Sequence, residues 1–234
     1  MRRVSALLIA AVFACGLIVA ACAPAVVPPS SSTTTVAPVD CTARGPAPDL
    51  HGCNFAGAFF NELNLAGANL RYANLELASI SEADLRRADL SWANLTGVQA
   101  GSVKLEGAIL TGANLTGAEL NQAKLSGSKI NDATVVGAHV DGSNLGFADL
   151  TGSNLSFASM SVVNLSYSAM NRANLTNAYL ESANLWAANL TEADLAGADL
   201  TGANLTGANL TGAIWNNTTC PNGVVQSTEC PRRP

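Results

Sequence analysis

From residue 50 to residue 215 every fifth position is apolar, without one slip of phase. Of these 34 positions 24 are Leu, and the others are Phe55, Phe60, Ile80, Ala100, Ile130, Val135, Val140, Met160, Met170 and Trp215. Two residues before each, Ala recurs at 24 of the 34. Most positions between are Asn, Asp, Thr, Ser or Gly. A helix advances about 100° per residue, so successive leucines would spiral round every side and leave no buried stripe. In a straight strand side chains alternate, and an odd period would throw successive leucines to opposite faces. The pattern predicts instead a chain that runs extended for a few residues, turns every five, and closes into a stacked coil. The Leu and the Ala two before it then point inward together.

Residues stacked on neighbouring coils lie about 4.8 Å apart, and opposite charges there attract. A coil of 20 residues places an acid against four of the seven basic residues of the repeat region: Asp84 with Lys104, Arg86 with Glu106, Lys129 with Asp149, and Arg172 with Glu192. A coil one repeat shorter or one repeat longer matches fewer. The aromatic residues fit 20 as well, since Tyr72 and Trp92 share that spacing, as do Phe147 and Tyr167. Exposed pairs contribute about 0–1 kcal/mol each, so they mark register more than they stabilise.

Units such as ANLTG and ADLRR, repeated from Pro48 to Asn217, resemble the A(N/D)LXX pattern of the pentapeptide-repeat proteins. That resemblance implies an all-β fold, a right-handed quadrilateral β-helix (solenoid) of about 34 pentapeptide repeats, with handedness taken from the family. At four repeats per coil the rod is about 40 Å long. Each inward Leu contributes about 1.5–3 kcal/mol before entropy is counted. At Val98-Gln99-Ala100 the large and small inward residues exchange slots. Ser128, Ser143, Ser153 and Ser168 occupy Ala slots, where their hydroxyls need backbone acceptors. Gly is frequent two residues after the Leu, as expected of a corner that sometimes requires positive φ. Tyr72, Trp92 and Phe147 in the same slot suggest that the corner does not demand Gly.

Composition changes the picture at the two ends. The chain of 234 residues is 48% apolar yet only 12% charged, and its mean hydropathy is +0.23. One stretch, Val4 to Ala21, approaches the length of a membrane span, which excludes a multi-span protein. Met1-Arg2-Arg3 before that run has the form of an export signal, residues 1–21. Val19-Ala20-Ala21-Cys22 resembles the lipobox of bacterial lipoproteins, which implies lipidation at Cys22 and attachment to the outer face of the cytoplasmic membrane. Cleavage by ordinary signal peptidase with secretion, or an uncleaved anchor, are the rival readings. Arg2-Arg3 lacks the flanking residues of a twin-arginine signal. Residues 22–40 read as a Pro/Ser/Thr-rich linker that cannot bury a core and reaches about 50 Å when extended.

A stacked solenoid exposes an open edge at each end unless something covers it. With Cys15 in the signal and Cys22 lipidated, four cysteines remain, an even number in an exported chain. They lie at opposite ends of the expected rod, so the expected disulfides are local, Cys41–Cys53 in an N-terminal cap (41–53) and Cys220–Cys230 in a C-terminal cap and tail (218–234). Both segments also look like the end segments of exported pentapeptide-repeat proteins. A metal site from Cys41, His51 and Cys53 is the alternative, and it lacks a clear fourth ligand.

No catalytic or cofactor constellation emerges. His51 and His139 are the only histidines, and His139 is expected at an outward slot near Asp141. Glu82, Asp84 and Asp89 read as a solvated face beside Arg86 and Arg87. The Asn-Leu-Thr and Asn-Leu-Ser triplets match a glycosylation pattern, but the repeat generates them automatically. Some relatives mimic B-DNA and bind DNA gyrase, which the resemblance offers as one alternative. The export signal and the neutral Asn positions count against it, and the net charge of −5 offers nothing to nucleic acid. The expected function is a non-enzymatic, extracytoplasmic structural or protein-interaction scaffold at the cell envelope, without a small-molecule substrate. Its candidate interaction patch is Phe147, Tyr167 and Trp186, stacked at one corner and facing an envelope protein or a glycan; the rival reading is that these rings cover one another and stiffen the corner. Phe157, Val162 and Tyr179 fall on other parts of the same coils.

Overall fold

The computed structural model describes residues 40–43 and 47–230. The export signal, Cys22 and the linker to residue 39 lie outside the described residues, as does the tail from 231. Between Asp49 and Thr219 the chain forms 31 parallel bridges, and each joins a residue to the one 20 further on. A turn follows every inward residue, so one coil contains four turns and four inward pairs. Among the described residues there is no helix, and hence none long and apolar enough to cross a membrane.

One unit, Asn74 to Ala78, shows why this backbone closes. Asn74 N–H donates to Cys53 C=O of the preceding coil at 2.9 Å, while Leu75 and Leu77 donate to Asn94 and Thr96 of the next at 2.7 and 2.9 Å. Ala78 N–H closes the turn on Leu75 C=O at 3.0 Å. The fifth donor, Glu76 N–H, bonds the Asn74 side-chain Oδ1 at 3.2 Å. All five N–H groups of the unit therefore have acceptors. The Asn or Asp before the Leu is chemically specified, because its side chain caps the one donor that neither the turn nor the neighbouring coil reaches.

The turn sets a second demand. Its second residue has positive φ at every unit from Ala47 to Asn217, whether Gly or not. With negative φ at the first turn residue and a hydrogen bond across the turn, this is the type II pattern. Positive φ is thus obligatory at every corner and not occasional, contrary to the sequence expectation. Tyr72, Trp92, Phe147 and Val162 accept it at φ 57–61°. L-residues are disfavoured there by about 1–2 kcal/mol, and a β-branched residue such as Val162 is the most strained type.

The interior is a column of Leu with flanking Ala, fully buried from Ala68 to Leu210. Val98 and Ala100 are both wholly buried, so the exchange of large and small residues fills the same layer. Ser128, Ser153 and Ser168 each donate to the C=O three residues back, at 2.7–2.8 Å. Ser143 reaches across coils to Leu120 C=O at 2.7 Å and accepts from Ala123 N–H at 2.9 Å. A cavity of about 20 Å³ runs between Leu110 and Leu165, lined by aliphatic side chains and Met160, a lining that keeps such a space dry.

The ends differ. At the N-terminal end Phe55, Phe60 and Leu65 are only partly buried, with the two rings edge to face at 5.0 Å. The Cys41–Cys53 disulfide closes this end. At the other end β1 (Thr218–Thr219) pairs antiparallel with β2 (Val225–Gln226), and Cys220–Cys230 closes the hairpin. Thr218 takes an Ala slot and donates from Oγ1 to Leu195 C=O at 2.8 Å.

Replacing Val162, which is 67% exposed, by Gly relieves the left-handed strain at the cost of some backbone entropy. A gain of about 1 kcal/mol in a denaturant titration is the expected outcome. Gly112→Ala should lower stability by about 1–2 kcal/mol, because the new Cβ would stand 2.5 Å from the Trp92 ring at φ +66°. Equal midpoints for both variants and the parent would show that turn conformation is not limiting.

Candidate interaction surface

Three of the side chains singled out in the sequence come together. The turn after Leu145 carries Phe147, the same turn one coil on carries Tyr167, and the next carries Trp186 beside Ala187. Phe147 and Tyr167 stack with centroids 4.9 Å apart and planes 11° from parallel. Tyr167 meets Trp186 edge to face at 4.8 Å. The rings remain 65%, 45% and 43% exposed, so they support one another and still present a continuous apolar edge. Phe157, Val162 and Tyr179 are also exposed, on other turns and ladders of those coils.

Beside the rings runs a ladder that sequence reasoning did not anticipate. Asn164 donates from Nδ2 to Asn144 Oδ1, Asn184 to Asn164, and Asn204 to Asn184, at 2.9–3.2 Å. The middle amides also accept from the backbone two residues on, Ser166 and Trp186 N–H. A second ladder joins Asn54, Asn74 and Asn94. The signal lay in the chain, as Asn at intervals of 20. Spacing alone reads such Asn as neutral surface residues, because the amide-to-amide bond depends on the coil register.

Toward the N-terminal end, the strip with the rings becomes basic. Preceding coils place Lys124, then Lys104, then Arg86 and Arg87 along it, with Gly127 and Gly107 in the turn column beneath Phe147. Two acids share this stretch, Asp84 and Glu106. Arg86 doubles back onto Asp84, with Nε 2.8 Å from Oδ1 and Nη2 2.5 Å from Oδ2, and holds that carboxyl below the usual range.

Several expected contacts are corrected. Of the four ion pairs expected at spacing 20, Arg172–Glu192 forms, at 2.8 Å. Asp84 with Lys104 and Lys129 with Asp149 are bridge partners without a close ion pair, although Lys104 still acts on Asp84 through space, and Arg86 takes Asp84, two residues back, as its close partner in place of Glu106. Arg71 instead pairs diagonally with Asp89 of the next coil, at 3.2 Å. Tyr72 receives the Arg71 guanidinium at 5.5 Å, while Trp92 leans over Gly112 of the next coil. His139 faces Glu119, Nε2 to Oε1 3.9 Å, because Asp141 is engaged by Ser159 Oγ and Ser161 N–H. The alternative metal set is dismantled by the disulfide that joins Cys41 to Cys53, and His51 Nδ1 lies 2.9 Å from Asp49. Among the described residues no group of three or more His, Cys, Asp or Glu is placed to hold a metal ion.

A coil of this kind, with Leu and Ala inside and a closing turn every five residues, defines a solenoid of stacked short repeats. Eight copies of the Pentapeptide repeats family description match residues 49–87, 64–99, 93–132, 128–166 and 178–217, and the chain belongs to that family. Similar solved structures include HetL, a pentapeptide repeat protein involved in heterocyst differentiation regulation from the cyanobacterium Nostoc sp. strain PCC 7120. It is 30% identical over 74% of this chain and 91% of its own, with a TM-score of 0.38. Rfr23 from the cyanobacterium Cyanothece 51142 is 24% identical over 70% and 85%, with a TM-score of 0.21. QnrB1, a plasmid-mediated fluoroquinolone resistance protein, is 17% identical over 68% and 88%, with a TM-score of 0.32. No curated protein matches the chain.

The Asp84–Arg86 pair carries a pH signature. A carboxyl whose folded pKa lies below its unfolded value of about 3.9 stabilises the fold fully above that value. The contribution disappears as pH falls through the folded pKa. Thermal melts from pH 7 to pH 2.5 should therefore show a shallower acid limb for Asp84→Asn than for the parent. Parallel acid limbs would remove the pair from the stability balance.

Proposed function

We propose that the chain is a right-handed, four-sided rod of thirty-four repeats that works as a non-enzymatic interaction scaffold outside the cytoplasm. It is tethered through lipid on Cys22 to the outer face of the bacterial cytoplasmic membrane. The register of 20 residues between bridged positions supports four sides. The lipobox-like Val19-Ala20-Ala21-Cys22 and the linker that follows support the tether.

The observation that carries the interaction role is the contacting, half-exposed column Phe147, Tyr167 and Trp186. Tyr and Trp are the residue types most enriched where binding energy concentrates. A protein partner fits better than a glycan, because Phe147 and Tyr167 turn their faces toward each other. A sugar ring needs an open aromatic face to lie on. A duplex-DNA mimic that engages a topoisomerase needs a continuous acidic surface, and Arg87, Lys104 and Lys124 interrupt it.

Tyr167→Ala combined with Trp186→Ala should reduce capture of envelope proteins by at least tenfold in a quantitative pull-down, with the melting temperature little changed. Capture equal to the parent's would remove the ring column from the function. Metabolic labelling with a fatty-acid analogue should mark the native chain and leave Cys22→Ala unlabelled. Label retained in that variant would refute lipidation at Cys22.

A further inference from the structure

The ring column is one half of a longer strip, and the other half has the opposite chemistry. Counted along one bridge ladder and its turn, successive coils present Asp84 with Arg86 and Arg87, Lys104 with Glu106, and Lys124 with Ser126. The next three present Asn144 with Phe147, Asn164 with Tyr167, and Asn184 with Trp186. Four of the seven basic residues of the repeat region therefore lie on this strip, against only two acids, in a chain of net charge −5. Lys104 and Lys124 are themselves bridge partners, and like charges at directly opposed positions destabilise a sheet unless something anionic lies between or above them. Asp84 is held by Arg86 and also faces Lys104, and Glu106 is the only other acid of the strip, so its four cations share two carboxylates. A surface with this balance has an unmet preference for negative charge. It passes into an apolar edge at the Lys124 to Phe147 step.

Spacing restricts what can use both halves at once. The strip offers a contact every coil, about 4.8 Å. An extended peptide returns a side chain to the same face about every 6.7 Å and falls out of step within two coils. An α-helix returns one about every 5.4 Å, a slip of about 0.6 Å per coil, so it keeps pace with the strip for about four coils. Five coil steps span about 24 Å, which is about 16–18 helical residues. Beside Lys124 the surface is open, since a Cβ at Gly127 would touch nothing within 4 Å, while at Gly107 the aliphatic stem of Arg87 covers the turn.

We infer that this strip docks an amphipathic helix of a partner protein. Its N-terminal turns are acidic and lie over Arg87, Lys104 and Lys124, and its following turns are apolar and lie against Phe147, Tyr167 and Trp186. The helix runs parallel to the direction of coil growth, because acidic residues are favoured in the first turns of a helix. The lengthwise separation of charge from aromatic surface matches such a helix. It does not match an anionic lipid surface, which is uniform along the rod. This inference rests on the interaction role proposed for the ring column and gives its partner a chemistry.

The test is a selection on the full chain from a phage-displayed library of Ala-based helices, each about 18 residues long to match the strip and randomised along one face. Enriched sequences should carry Asp or Glu in their N-terminal turns and Leu, Met or Phe in the later ones. The affinity of a synthesised winner should fall at least tenfold on Lys104→Glu with Lys124→Glu, and at least tenfold on Tyr167→Ala with Trp186→Ala. A winner whose acids are changed to Lys should recover binding to the Lys→Glu pair. All four substituted positions point outward, and a melting curve checks that each variant folds. Winners that depend on the rings but lack the acidic turns would overturn the helix assignment and leave the interaction role standing. Winners indifferent to both variant pairs, or no enrichment at all, would overturn the helix, and the pull-down with Tyr167→Ala and Trp186→Ala then decides the interaction role on its own. Binding to anionic vesicles with the same variant dependence, and no peptide enrichment, would replace the helix by a membrane.

Discussion

Five backbone donors per unit must each find an acceptor, and that constraint shapes the whole solenoid. Three N–H groups cross between coils, one closes the turn, and the last is capped by the side chain of the residue before the Leu. The scheme forces positive φ at the second turn residue and fixes the 20-residue register. It also explains a composition that looked anomalous. Where most soluble proteins place charge on the surface, this one places Asn and Asp whose primary duty is toward the backbone. At two units where Ser79 and His139 stand in the capping slot, a neighbouring coil supplies a substitute: Ser81 and Asp141 N–H donate to the side chains of Asn61 and Asn121, 20 residues back.

The interior follows from the same geometry. Because each coil offers four inward pairs, large and small residues can trade places within a pair, as Val98 and Ala100 do. Polar groups are admitted only where a carbonyl is within reach, as at Ser143 and Thr218, which both donate to a carbonyl 23 residues back. The outward surface has no layer to fill and answers only to the turn conformation and the capping of the backbone. The rings and the lysines can therefore vary freely without disturbing the core, which makes departures from the repeat informative about binding.

Fold and site were legible in the sequence to different depths. The unbroken apolar series from 50 to 215 and the stacking of Phe147 on Tyr167 could be read directly, because both depend only on period and register. Of the four ion pairs only Arg172–Glu192 could. A register places Arg86 opposite Glu106, but a flexible side chain takes the nearest carboxylate, and Asp84, two residues back, is nearer. His139 illustrates the same limit, since its expected neighbour Asp141 was already engaged by serines of the next coil. The strain at Val162 was hidden for another reason. Gly at many corners suggested permission for positive φ, whereas the hydrogen bonding makes it compulsory. The Asn ladders were visible as spacing, yet they acquire meaning only once the amide is known to serve two bonds at once.

The bridge register has one more consequence, for how such a chain tolerates changes of length. Insertion of four repeats adds a coil and leaves every later side chain on its original ladder. Insertion of a single repeat preserves the core equally well, since Leu and Ala stay in phase, but it rotates everything downstream to the next turn. Placed between Lys124 and Phe147, one extra repeat would leave a sound solenoid in which the cations and the rings look out in different directions. Folding reads the chain one repeat at a time, whereas recognition reads it one coil at a time. Homologous rods can therefore share a scaffold while differing entirely in what their surfaces bring together.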